Sequence, residues 1–79
     1  VKRMTKLEEI GDSFKGVEKT YAIQAGREVR IVVVPDIATD EESNMLAKSV
    51  ARRIEKEVTY PGEVKITVIR ETRFTEVAH

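Results

Sequence analysis

Near the start of the chain, Met4, Leu7, Ile10 or Gly11 and Phe14 recur at three- and four-residue steps, while Lys2, Arg3, Lys6, Glu8, Glu9, Asp12 and Lys15 take the other side. That spacing predicts an amphipathic first helix that ends by Gly16, where glycine suits a left-handed cap and Val17 can close against the helix end. From Val17 the period drops to two: Tyr21, Ile23 and Ala25 share one face, and Glu18, Thr20, Ala22 and Gln24 the other. This predicts a strand. Ala25-Gly26-Arg27-Glu28 then reads as a tight hairpin turn with Gly26 first of the two central residues. A second strand runs from Glu28 to Val34. Val29, Ile31 and Val33 line one face of it, and Val32 and Val34 load the other beside Arg30. A strand apolar on both sides predicts some cover on its outer face.

Pro35 has no N–H to donate and ends the pairing, and Asp36 to Ala38 form a loop. Thr39-Asp40-Glu41-Glu42 has the form of a capping box, so a second helix starts here. Its stripe is Leu46, Ala47, Val50, Ala51, Ile54 and Val58, with acids in the first turn and Lys48, Arg52, Arg53 and Lys56 later, the order the helix dipole favours. Tyr60-Pro61-Gly62 supplies a turn, and Glu63 to about Glu71 alternates again through Val64, Ile66 and Val68 as a third strand.

The order helix, strand, strand, helix, strand makes an α+β fold, a small two-layer sandwich occupying residues 1–79 as a single domain. Both helices cover one face of a three-stranded sheet, that of Tyr21, Ile23, Ile31, Val33, Ile66 and Val68, and the second helix crosses over in the right-handed sense. The pattern leaves open whether the third strand pairs with the first or the second. On the uncovered face, Ala22, Val32, Val34, Thr67 and Ile69 form a modest apolar patch edged by Glu18, Gln24, Arg30 and Lys65. A patch of that kind calls for a covering partner, a second copy or another domain of a longer chain. Ala22, Arg30, Val32, Val34, Thr67 and Ile69 are therefore the candidate interface residues.

Composition narrows the chemistry. Hydrophobic residues make up 41% and charged residues 35%, so the chain is expected to be a soluble globular domain. Its longest uninterrupted apolar run, Ile31 to Pro35, is far short of the roughly 20 residues that span a bilayer. Lys plus Arg and Asp plus Glu number 14 each, so the overall basic excess of a free-standing nucleic-acid binder is missing. There is no Cys, and the one His is His79, which removes thiolate chemistry, a Ser-His-Asp triad and multi-histidine metal sites. Asp36, Asp40, Glu41 and Glu42 lack EF-hand spacing and, Asp36 apart, are accounted for as a helix start. Little machinery for catalysis is left.

A local basic patch is the alternative. Lys48, Arg52 and Lys56 line one helical face with Arg53 beside them, and Arg27 and Arg70 add charge at the sheet's ends. Glu55 and Glu57 dilute that face, no aromatic residue interleaves with it, and no glycine-rich phosphate loop or GXXG clamp occurs.

Taken as blocks, Leu7 to Ile10, Phe14 to Lys19, Tyr21 to Glu28 (YAIQAGRE) and Tyr60 to Arg73 (YPGEVKITVIRETR) resemble the extreme C-terminal segment of the bacterial ribonuclease Y family. The resemblance covers nearly the whole chain, with departures around Asp36 to Asn44 and from Phe74 to His79. It implies a parent with an N-terminal membrane anchor, a coiled coil, a KH RNA-binding domain and an HD-type hydrolase domain that cuts single-stranded RNA internally to start messenger RNA decay. None of those parts lies in these residues. The HD ligands are His and Asp side chains upstream, so no catalytic or metal residue is carried over, and the divalent metal belongs to the parent's HD domain. The resemblance thus implies a non-catalytic structural and interaction domain on the cytoplasmic side of the membrane, itself without membrane contact. It would dock on its own HD domain or a second protomer, with RNA and other messenger-RNA-degradation proteins as further partners.

Overall fold

The computed structural model describes residues 2–79. Helix α1 spans Lys2–Asp12, strand β1 Val17–Ile23, strand β2 Glu28–Val33, helix α2 Asp40–Glu57 and strand β3 Lys65–Arg70, with short 3-10 turns at Gln24–Gly26 and Pro35–Ile37. The α-β-β-α-β order and the α+β class are as the pattern predicts. β2 is the central strand, antiparallel to β1 and parallel to β3, which resolves the pairing that the sequence left open. A parallel pair needs a long crossover, and α2 provides it.

The two helices are specified differently. Thr39 caps α2: its hydroxyl accepts from the Glu42 amide at 3.1 Å, and the Glu42 carboxylate accepts from the Thr39 amide at 3.1 Å. This is the capping box read from the sequence, and it satisfies two otherwise unpaired donors at the helix start. α1 ends at Asp12, earlier than Gly16. Ser13 closes the end, its amide donating to Glu9 O and its hydroxyl to Ile10 O at 2.7 Å. Gly16 keeps its left-handed backbone (φ 85°) in the loop that follows, and its carbonyl accepts from the Val34 amide.

Leu7 and Ile10 of α1, Val50 and Ile54 of α2, Ala22 of β1, and Val29, Ile31 and Val33 of β2 form the core, with Ile66 and Val68 of β3 packed against it. Four of the six sheet residues expected inside are there. The other two, Tyr21 and Ile23, are not, and Thr20 and Ala22 point inward instead. The cause is a bulge. Val17 pairs with Val33, but the next pair is Lys19 with Val32, so Glu18 is an extra residue and every side chain after it changes face.

The close approach of α1 makes that register fit. A Cβ on Gly11 would lie 2.4 Å from Thr20 Oγ1 and 2.5 Å from Thr20 Cγ2, so backbone and side chain are already in contact and only small residues fit beneath the helix. The hairpin also departs from the two-residue turn. Ile23 pairs with Glu28 around a four-residue loop in which Gln24, Ala25 and Gly26 all have positive φ (52°, 57° and 82°). The Arg3 guanidinium donates to Ala25 O at 2.7 Å and holds this left-handed run against α1. Such a conformation is unfavourable for the non-glycine residues and needs outside support.

Candidate interaction face

Register arranges the uncovered side of the sheet in three rows. Ile23, Glu28 and Lys65 form one end; Tyr21, Arg30 and Thr67 form the middle; Lys19, Val32 and Ile69 form the other end. Of the sequence-derived interface candidates, Arg30, Val32, Thr67 and Ile69 share this face. Ala22 does not: it is 7% exposed and lies in the core beneath α1, because the bulge at Glu18 turned it inward. Val34 lies just past β2, half-buried. Ile23 and Tyr21 replace them, and Tyr21 is 44% exposed with Lys19 Nζ 5.9 Å from its ring centroid. Val32 is outward yet only 6% exposed. The face thus carries an aromatic and an arginine at its centre.

Glu28 organises that centre. It is almost wholly buried, and one carboxylate oxygen accepts from Arg30 Nε at 3.1 Å and from Thr67 Oγ1 at 3.2 Å. The Arg30 hydrogen bond is the main reason that its carboxyl is held below the ordinary value of 4.5, with Thr67 and the nearby charges of Arg30 and Lys65 acting the same way against the cost of burial. An ionised Glu28 in turn fixes Arg30, whose side chain stays 49% exposed. An oriented guanidinium beside a phenol ring is set to meet a partner at low ordering cost. At the margins, Glu8 of α1 accepts from the Ala22 amide at 3.0 Å and so blocks part of the β1 edge, while Arg73, beyond β3, bridges Glu71 at 2.7 Å and Glu18 at 3.4 Å.

The basic candidates do not form one patch. Lys48, Arg52 and Lys56 are exposed along α2 and make no ion pair among the described residues. Arg53 turns away from them: it bonds Glu57 at 2.9 Å and Ser13 Oγ at 2.7 Å and lies 5.5 Å from the Phe14 ring centroid. Arg70 is tied to Asp40 and to Ala38 O, and Arg27 lies in the hairpin loop, where its carbonyl accepts from the Lys65 amide. Among the described residues no three His, Cys, Asp or Glu side chains converge, and no helix is long and apolar enough to cross a membrane.

The sequence reading placed Lys65 at the edge of this face but missed Tyr21, Ile23, Lys19 and Glu28. The available signal was Gly11 within the apolar stripe of α1, which marks a close helix–strand contact and so small residues on the facing strand.

No protein-family model matches the chain, and no solved structure matches it significantly. Curated relatives do match. Ribonuclease Y of Geobacillus thermodenitrificans is 59% identical over 78 residues, 99% of this chain and 15% of that protein. Ribonuclease Y of Acidothermus cellulolyticus is 49% identical over 79 residues, 100% of this chain and 16% of the relative, and that of Listeria welshimeri is 59% identical over 78 residues. The chain therefore spans about 15% of the length of the relatives it matches. That similarity runs from one end of the chain to the other, so the chain is similar throughout to a segment of the ribonuclease Y proteins.

Proposed function

We propose that this chain is a non-catalytic docking domain of a ribonuclease Y, an endoribonuclease that initiates messenger RNA decay, and that its outer sheet face seats on the enzyme's own HD domain or on a second protomer. The observation that carries this reading is the middle row of the sheet. Tyr21 stands exposed beside Arg30, and Arg30 is held in place by the buried Glu28 and by Thr67. Tyrosine and arginine dominate the energetic centres of protein interfaces, and Ile23 and Ile69 supply apolar contact on either side. Catalysis, with its divalent metal, belongs to other parts of such an enzyme, and a membrane anchor elsewhere in it would hold this domain at the cytoplasmic surface. RNA contact through the basic face of α2 is the weaker reading, since two of the six candidate cations, Arg53 on α2 and Arg70 on β3, are spent on internal pairs.

Sedimentation equilibrium over a concentration series tests the proposal, with and without a short single-stranded RNA at low and moderate salt. Association weakened by Tyr21→Glu and indifferent to RNA supports the sheet face between protomers. A monomer that leaves RNA unbound, but binds the separately produced HD portion until Tyr21→Glu is introduced, supports docking within the enzyme. A complex formed only with RNA, lost steeply as salt rises and insensitive to Tyr21→Glu, overturns the proposal in favour of the helix face.

A further inference from the structure

The two edges of the sheet are treated differently. Along β1, Gly11 of α1 lies against Thr20, and the Glu8 carboxylate accepts from the Ala22 amide at 3.0 Å. β3 has a neighbour on one side only. The Lys65 amide donates to Arg27 O at 2.9 Å, so the odd-numbered residues of β3 turn their backbone groups to β2. Ile66, Val68 and Arg70 therefore aim theirs outward, and among the described residues no other strand meets them. Burial shows the same opening. Ile66 and Val68 pack against the core yet are only half-buried, whereas Val29, Ile31 and Val33 of β2 are enclosed.

The charges flanking β3 match a second copy of the same strand. A two-fold axis normal to the sheet keeps outer face beside outer face, so opposed residues of an antiparallel pair must both be odd or both even in number. Centred on Val68, the pairing sets Val68 against Val68, Ile66 against Arg70 and Thr67 against Ile69 of the other copy. The outward amides and carbonyls of Ile66, Val68 and Arg70 then bond one another. One row further Lys65 meets Glu71, and beyond it Glu63 meets Arg73. A slip to Thr67 as the centre puts Glu63 against Glu71, and a slip to Ile69 puts Lys65 against Arg73. Opposite charges thus support the Val68 register, and like charges oppose its neighbours. The second copy's helix also has room. Asp40, tied to Arg70, marks the flank of α2 on the β3 side, and Asn44, Ala47 and Ala51 follow it at helical spacing with short side chains.

We propose that β3 pairs antiparallel with β3 of a second copy, centred on Val68, to make one continuous sheet with three strands from each copy. The pairing closes as a symmetric dimer and removes the open edge. Glu71, which holds Arg73 at 2.7 Å, accepts from Lys65 of the second copy as well. Both outer faces stay open, so the contact does not use Tyr21 or Arg30 and stands apart from the sheet-face reading.

Charge reversal tests contact and register together. Lys65→Glu and Glu71→Lys, each alone, should weaken self-association about tenfold in sedimentation equilibrium, because each spoils two symmetry-related pairs. The double reversal should restore it. Cysteine trapping reads the register independently, since the chain has no cysteine of its own. Chain carrying Lys65→Cys is mixed with chain carrying Glu71→Cys under mild oxidation, and the expected product is the mixed disulfide in excess over either homodimer. A chain that stays monomeric, single reversals whose effects add instead of compensating, or a mixed disulfide no more abundant than the homodimers each overturns the proposal. Self-association that Tyr21→Glu removes and both reversals leave intact also overturns it, and assigns the contact between copies to the outer face.

Discussion

The α2–β3 half of the molecule and the α1–β1 half use the same two-layer plan with opposite side-chain logic. Between α2 and the sheet, large residues fill the gap: Val50 and Ile54 are fully buried against β2 and β3 neighbours such as Val68. Between α1 and β1 there is almost no gap, because Gly11 lies on Thr20. Small residues must face inward there, so β1 turns its largest side chain, Tyr21, outward. The exposed aromatic at the centre of the candidate docking face is thus a consequence of tight packing on the opposite side of the same strand.

The difference can be attacked from either half. Ile54→Ala should cost about 2–5 kcal/mol in urea unfolding, because a fully buried side chain is replaced by a cavity. In the other half an added methyl should do harm. Gly11→Ala gains about 1 kcal/mol of helix propensity but forces overpacking against a side chain that cannot yield, which costs about 1–3 kcal/mol. Net destabilisation is expected, shrinking when Thr20→Ala is introduced beside it. A double-mutant cycle with no coupling between the two positions would sink the close-contact account.

Smaller effects sharpen the comparison. Thr39→Ala should lower stability by about 1 kcal/mol through loss of the α2 cap. Acid should act chiefly on carboxylates held by partners: Glu28 by Arg30, Glu42 by the Thr39 amide and Glu57 by Arg53. Each has its pKa lowered on folding, so its contribution is fully present above the ordinary value of 4.5 and is lost as pH falls through the folded value. Glu28→Gln should flatten the decline of unfolding free energy below that pH; an unchanged decline would mean that Glu28 is not held as described. Tyr21→Glu should change stability least, within about 0.5 kcal/mol, as expected of an exposed site.

How much of this was legible follows from the same contrast. The capping box, the α2 stripe, the element order and the alternating faces of β2 and β3 were all readable, because large apolar residues at helical or strand spacing have one economical place to go. In β1 the alternation was readable but its direction was not. Val17 and Tyr21 share a period-two face in the sequence, and the bulge at Glu18 that separates them in space leaves no mark in an apolar/polar pattern. The left-handed run Gln24-Ala25-Gly26 was equally hidden, since only Gly26 advertises positive φ and the support for the other two comes from Arg3 on a distant helix. The family resemblance was legible throughout, but it says nothing about which face of the sheet is used.

Lysine-modification footprinting tests the central claim most directly. Lys19 and Lys65 lie on the outer sheet face, and Lys48 and Lys56 on the exposed side of α2. Their reactivities are compared in the 79-residue chain alone and in a full-length ribonuclease Y that carries it. Protection of Lys19 and Lys65 in the full-length enzyme, with Lys48 and Lys56 as reactive as before, is the predicted result. Protection of Lys48 and Lys56 alone, or unchanged reactivity at all four lysines, would contradict the assignment of the sheet face as the docking surface.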